Sequence, residues 1–137
     1  FKVNCNTTAN KKNTKKKMEE VLKNRTKKLG IDVINLILKY QQTPVIKVIS
    51  NQIIRSSTSV GANYRAVCRA KSNADFINKL RIVEEEADET LFWFEILEET
   101  QIIKSDELQS LKRETNEILS IVVASIKTSL NRINKSK

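Results

Sequence analysis

The chain has 137 residues, a formal net charge of +9 and 39% hydrophobic residues, which suits one domain with a real core. Two glycines and one proline leave few residues for tight turns. This argues against an all-β fold, and the Leu/Ile/Lys/Glu-rich stretches favour an all-α domain. No apolar run approaches the roughly 20 residues that span a bilayer, and no secretion signal is evident. The two cysteines, Cys5 and Cys68, argue against a disulfide framework and fit a reducing cytosol, so we expect a cytoplasmic protein with no membrane contact.

The N-terminal residues 1–17 are polar and basic, and we predict a disordered segment there, followed by a four-helix bundle over residues 18–137. Residues 1–28 hold ten Lys/Arg and two Glu, whereas the remaining chain is nearly neutral. The segment is therefore a candidate arm for nucleic-acid phosphates, through Lys11, Lys12, Lys15, Lys16 and Lys17. The alternatives are a solvated tail, or an extension that precedes a start at Met18.

The first two helices are predicted from apolar spacing and a capping signal. Helix 1 is expected to begin near Met18, and its apolar positions are clearest over residues 29–40. Helix 2 is expected to begin with Thr43 as the N-cap and Pro44 at the first helical position. It is predicted to run to about Ala70.

The last two helices begin after a serine. Ser72 with Asp75 three residues later resembles a capping box, and predicts a helix that runs to about Gln101. Ser105 is the predicted cap of helix 4, which is expected to end near Ile133. Since the loops are short, we predict an all-α, up-down-up-down antiparallel four-helix bundle.

Helix 2 contains the unusual run "SSTSVG" over residues 56–61, made of mediocre to poor helix formers. Small residues one turn apart, such as Ser57 and Gly61, let another helix approach closely, so we interpret this pair as a site of close helix packing. The alternative is a phosphate-binding loop, but the glycine pattern of such loops is lacking.

Charge is distributed unevenly between helices 2 and 3. Residues 43–71 carry five basic residues and no acidic ones, whereas residues 72–101 carry nine acidic residues against two basic ones. The basic residues of helix 2 can bind phosphates, or can pair with acidic helices of the same or a neighbouring chain. The candidates for phosphate binding are Lys47, Arg55, Arg65 and Arg69.

A second apolar stripe on helix 3 is rotated away from its predicted core face. It consists of Ile82, Trp93 and Ile96, with Phe92 alongside, and helix 4 is similarly apolar on two lines. Apolar residues on two faces indicate burial on two sides, so we expect a homo-oligomer with this stripe as an interface. The alternative is a thick core within one subunit.

Catalytic chemistry has little support in the sequence. There is no histidine, which removes the commonest general base and metal ligand. Cys68 lacks a visible activating partner, and the acidic run of helix 3 points in several directions, as on a solvated face. We expect no enzyme activity, no metal and no cofactor.

The segment 51–97 contains a long and specific pattern of residues. They are Gln52, Arg55, Ser56, Ser59, Val60, Gly61, Ala62, Asn63, Ser72, Asp75, Phe76, Lys79, Leu80, Glu86, Ala87, Glu89, Thr90, Trp93 and Glu95. In this pattern the segment resembles a four-helix-bundle family encoded in intervening sequences of bacterial 23S ribosomal RNA genes. The helix spacing matches over about residues 26–133. One departure is Ala66 and Val67, where the family often has an acidic residue.

The resemblance implies a small bacterial protein that forms a ring of five copies, with no known enzymatic activity. A related branch is the accessory variability protein of diversity-generating retroelements, which binds nucleic acid and a reverse transcriptase. The first hypothesis is therefore a non-enzymatic oligomer that binds RNA or DNA through basic surfaces, as an accessory factor to ribosomal RNA or to a reverse transcriptase. The alternative hypothesis is an oligomeric scaffold for a protein partner, such as a reverse transcriptase, whose charges serve subunit contacts.

Overall fold

Four α-helices make up the protein in the computed structural model, which describes residues 5–136. They are α1 (Cys5–Ile37), α2 (Pro44–Val67), α3 (Asn73–Glu99) and α4 (Ser105–Lys135). No strand occurs among the described residues. The predicted all-α class is therefore confirmed.

The N-terminal segment differs from the prediction. Residues 5–17 are not a disordered segment before the bundle but the first part of α1, which has 33 residues and begins at Cys5 instead of near Met18. Residues 1–4 of the predicted segment lie outside the described residues. Lysine is a good helix former, and a helix already held by packing extends without a new nucleation cost.

Two of the three predicted helix caps are confirmed. Thr43 and Ser72 both have extended backbones, and their hydroxyl oxygens accept from the backbone N–H groups of Ile46 and Asp75. The third cap is wrong, because Lys104 occupies the cap position and Ser105 is the first residue of α4. The hydroxyl of Ser105 instead lies 3.1 Å from the Glu98 carboxylate on α3, to which it donates.

Between neighbouring helices, contacts that come later on one helix are made with residues that come earlier on the other. On α1 and α2, Thr26 lies against Gly61 whereas Gly30 lies against Thr58. On α1 and α4, Arg25 pairs with Glu114, and Tyr40, just beyond the end of α1, bonds to Glu107, which lies earlier on α4. On α2 and α3 the end of one helix meets the start of the other, and the same holds for α3 and α4. The contacts within each of these pairs therefore follow an antiparallel order.

The core lies between the four helices and is filled by large aliphatic side chains and two aromatic residues, Tyr64 and Phe94. Its fully buried residues include Leu29 from α1, Ile53 from α2, Leu80 and Phe94 from α3, and Ile118 from α4. α2 packs along both α1 and α3, whereas α1 and α4 meet over a shorter stretch. α3 likewise packs along both α2 and α4, so α2 and α3 each have two close neighbours.

Both glycines of the chain lie where α1 and α2 cross. A Cβ on Gly61 would stand 3.1 Å from backbone atoms of Thr26 and Lys27, and a Cβ on Gly30 would stand 3.1 Å from the Thr58 methyl group. Thr26 and Ser57 are fully buried beside them. Each helix therefore presents a small residue and a glycine one turn apart, so that the two backbones approach closely.

We predict that Gly61→Leu destabilises the fold by about 1–3 kcal/mol through overpacking against α1. Gly61→Ala should gain little or nothing, because the roughly 1 kcal/mol of added helix propensity is opposed by a contact with backbone that must move. Thermal and chemical unfolding followed by circular dichroism measure both.

The matched control is Ala62→Leu, one residue along α2 at an exposed position. It should change stability by no more than about 0.5 kcal/mol. Equal unfolding curves for Gly61→Leu and Ala62→Leu would mean that close packing does not explain the glycine.

Candidate nucleic-acid interface

Three separate basic segments of the chain meet at one end of the bundle. The antiparallel order brings the start of α1, the end of α2 and the end of α4 together. The Lys15 ammonium lies 5.8 Å from the centre of the Phe76 ring near the start of α3, which places this part of α1 at the same end. We call this surface the basic end. It comprises Lys11, Lys12, Lys15, Lys16, Lys17, Arg65, Arg69, Lys71, Lys127, Arg132 and Lys135.

The charge of the basic end contrasts with that of the opposite end. Its nearby acidic residues are Glu19, Glu20 and Asp75. The Asp75 carboxylate accepts hydrogen bonds from the Lys79 ammonium and the Lys71 backbone N–H, and these bonds lower its pKa. Toward the opposite end, residues 31–47 and 93–116 together hold seven acidic residues against five basic ones. The bundle is therefore electrically polarised along its axis.

The lysines of α1 stand on a helix that the bundle does not cover. Every side chain from Thr8 to Met18 is exposed. At 100° per residue, Lys11 and Lys15 share one side, Lys12 and Lys16 a second, and Lys17 a third. Positive charge thus surrounds this segment on several sides instead of forming one stripe.

The four basic residues of helix 2 that were candidates for phosphate binding differ in position and in ion pairing. Arg65 and Arg69 are exposed at the basic end and form no ion pair with any described residue. Lys47 is also exposed, but it lies 22 residues before Arg69, about 33 Å away at the opposite end. Arg55 is paired within the chain.

Arg55 lies between two carboxylates of α3. Its guanidinium lies 3.3 Å from Glu86 and also binds Glu89. The hydrogen bond to Glu89 raises the pKa of Arg55 and lowers that of Glu89. Of the two alternatives for the basic residues of helix 2, pairing with an acidic helix of the same chain therefore describes Arg55.

The contribution of α4 to the basic end was not predicted from the sequence. Lys127, Arg132 and Lys135 are spread over nine residues and do not form a run, so no local pattern marks them as a group. They reach the basic end only because α4 runs back toward the start of α1. The one local feature in the sequence that marks them is basic charge in the last turn of α4, from Arg132 and Lys135.

The predicted oligomer stripe is partly covered within the chain. Ile82 and Phe92 are 43% and 50% exposed, whereas Trp93 and Ile96 are half-buried against the core. Phe92 meets Trp93 edge to face, with 5.0 Å between ring centres. Part of the stripe thus belongs to a thick core, and part faces outward.

Two valines of α2 enlarge the outward part. Val45 and Val48 are 64% and 63% exposed. Arg55 on α2 pairs with Glu89 on α3. Val48 lies two turns before Arg55, and Ile96 lies two turns after Glu89. Because the contacts of the two helices follow an antiparallel order, Val48 and Ile96 lie side by side. We call Val45, Val48, Phe92, Trp93 and Ile96 the apolar patch. It lies in the half of the bundle away from the basic end.

Features typical of a catalytic or metal centre are not found in residues 5–136. No group of three or more Cys, Asp or Glu side chains is placed there to hold a metal ion. Burial raises the pKa of the half-buried Cys68 thiol, and the nearby Glu19 adds to this effect. A raised pKa disfavours the reactive thiolate. None of the described helices is both long and apolar enough to cross a membrane.

The Arg55–Glu89 pair predicts a pH-dependent effect of Glu89→Gln. The pKa of Glu89 is below its ordinary value of 4.5, so its stabilising contribution is present above that pH and is lost as pH falls through the lower folded-state value. Relative to the parent, Glu89→Gln should therefore be less stable at pH 7, and the difference should shrink near pH 3. Thermal melts at both pH values measure it.

Glu85→Gln is the control, since Glu85 is exposed on the same helix and pairs with no described residue. A Glu89→Gln deficit that is equally large at pH 7 and pH 3 would show that Arg55 does not hold this carboxylate.

Comparisons with known proteins agree with this architecture. A crystal structure of a protein of unknown function from the S23 ribosomal protein family of Bacteroides thetaiotaomicron is 36% identical, with a TM-score of 0.68. The match covers 77% of this chain and 98% of that one. A search of curated proteins found no match. The profile of the 23S rRNA-intervening sequence protein family matches residues 8–124. This chain therefore belongs to the 23S rRNA-intervening sequence protein family.

Proposed function

We propose that this chain is a non-enzymatic, cytoplasmic, homo-oligomeric bundle of up-down-up-down topology that binds RNA or DNA through its basic end. The convergence of three basic segments on that end carries the proposal. Phosphates attract such a surface without regard to base sequence, and the released counterions make the binding depend on salt.

The distribution of ion pairs supports the assignment to the basic end. Arg25 and Arg55 on the sides of the bundle are both held by two carboxylates, at distances that include 2.7 and 3.1 Å for Arg25. Arg65 and Arg69 have no such partner among the described residues and are exposed. A guanidinium without a carboxylate partner is available for bidentate contacts with a phosphate.

The apolar patch supports the assembly part of the proposal. Exposed valine and aromatic side chains that adjoin one another usually mark an interface. The alternative function, a scaffold that binds a protein partner, uses the same patch. A closed ring of identical copies, such as a pentamer, would cover the patch on every copy by a head-to-tail contact.

We predict that the protein retards RNA or DNA in gel shifts at about 50 mM salt, and that affinity falls roughly a hundredfold or more by about 200 mM. Arg65→Gln with Arg69→Gln should weaken binding several-fold, and should lower the slope of log affinity against log salt by up to about 2. Fluorescence anisotropy across a salt series measures the slope.

Lys39→Gln with Lys47→Gln is the matched control. It removes the same charge from exposed positions at the opposite end. Equal losses from the two double variants would show that binding depends on net charge and not on the basic end. If the parent protein binds neither RNA nor DNA, the scaffold function replaces this proposal.

For assembly, we predict that light scattering gives a mass several times the 15.7 kDa of one chain. Phe92→Asp should lower the mass toward the monomer. Phe92 is half exposed, and the contact would bury the negative charge of the aspartate that replaces it. It is a better probe than Trp93→Asp, since Trp93 also packs against the core.

Ile31→Asp is the control, because Ile31 is similarly exposed, at 46%, but lies on α1 outside the patch. It should leave the mass unchanged. A parent protein that is monomeric at micromolar concentration contradicts the proposed assembly.

A further inference from the structure

We infer that the basic first part of α1 binds in the major groove of double-helical DNA, as an inserted helix. The inference rests on the proposed function and names the form of nucleic acid that the basic end fits. Three observations lead to it: the exposure of this helix, the directions of its lysines, and the position of the aromatic residues.

The bundle does not cover this helix, although the Lys15 ammonium reaches back to the Phe76 ring of α3. Residues 5–17 precede the part of α1 that crosses α2, and all side chains from Thr8 to Met18 are exposed. Thirteen residues of helix form a rod about 20 Å long and about 10–12 Å wide. The major groove of B-form DNA is about 12 Å wide and admits a helix of this size.

The lysines surround the rod in a way that suits a groove. Lys11 with Lys15, Lys12 with Lys16, and Lys17 project in three directions about the axis. A flat surface would use one of these sides, whereas the two phosphate strands that border a groove can use opposite sides. The side chains between the lysines are short, such as Ala9, Asn10 and Thr14, and no acidic residue occurs in residues 5–18.

The same dimensions disfavour an RNA duplex, because the major groove of A-form RNA is too deep and narrow for protein side chains to read. Single strands are disfavoured by the aromatic residues. Proteins that bind single strands without sequence preference stack bases on exposed aromatic rings. At the basic end, among the described residues, Tyr64 is buried and Phe76 is half-buried beside Lys15.

The experiment compares the full chain on three labelled probes of one sequence: a DNA duplex, an RNA duplex and a DNA single strand, by anisotropy at about 100 mM salt. We expect the DNA duplex to bind at least about tenfold more tightly than the other two. Equal or tighter binding of the RNA duplex or the single strand overturns the inference but leaves the proposed function standing. No binding to any probe overturns both.

The helix itself is tested by Asn13→Pro, which keeps every charge but interrupts α1 within its exposed part. DNA-duplex affinity should fall about tenfold or more, whereas Asn13→Ala should bind like the parent. Circular dichroism and thermal melting check that the bundle is retained. Parent-like binding by Asn13→Pro would show that these lysines act as a flexible basic tail, and would overturn the inserted helix.

A second variant removes the charge of this helix without interrupting the helix itself. Replacing Lys11, Lys12, Lys15, Lys16 and Lys17 by glutamine preserves helix propensity and removes the charge. The slope of log affinity against log salt on the DNA duplex should fall by up to about 4. An unchanged slope would overturn the inference even if Asn13→Pro proved unstable.

Discussion

The close approach of α1 and α2 is the contact on which the arrangement of the other surfaces depends. Gly30 of α1 and Gly61 of α2 each lie against backbone of the other helix, without a large side chain between them. Sliding α1 by one turn, about 5.4 Å, would put a large side chain into this contact in either direction. Ile34 would take the place of Gly30, or Leu22 would take the place of Thr26. The crossing therefore fixes how far the lysines of α1 extend past the end of α2.

The small hydroxyl residues of α2 pack against both α1 and α3, and most of their buried hydroxyl groups are hydrogen-bonded. Ser57 lies on the α1 side, whereas Ser56 lies on the α3 side, 3.0 Å from the Thr90 hydroxyl. Ser56 and Ser57 also donate to backbone carbonyls three residues earlier on α2, so these polar groups are satisfied inside the packed helices. Ser50 is the exception among the described residues, because its buried oxygen has no partner. Small size with internal hydrogen bonding explains why such weak helix formers occupy α2, between α1 and α3.

The sequence predicts the four helices better than it predicts the contacts between them. Apolar spacing and the caps at Thr43 and Ser72 identified four helices, because these signals are local. The start of α1 was missed because a lysine-rich helix without a buried face has no apolar period to reveal it. Gly30 lies in the same crossing as Gly61, but no local pattern marks it, since its partner on α2 is distant in sequence. Periodicity identifies a buried face but does not identify what covers it, so the partners of Arg55 and the convergence of the basic segments required the fold.

The two proposed surfaces occupy different halves of the bundle, and this separation lets assembly and binding reinforce each other. The apolar patch includes the start of α2 and the end of α3, whereas the basic end includes the start of α1 and the ends of α2 and α4. In a ring whose symmetry axis runs along the bundles, contacts through the patch would leave every basic end on the same face. Several weak, salt-sensitive contacts would then act on one nucleic acid at high effective concentration. Loss of assembly would thus weaken binding even though the patch itself touches no phosphate, and the oligomer mass must be known before a loss of affinity is assigned to the basic end.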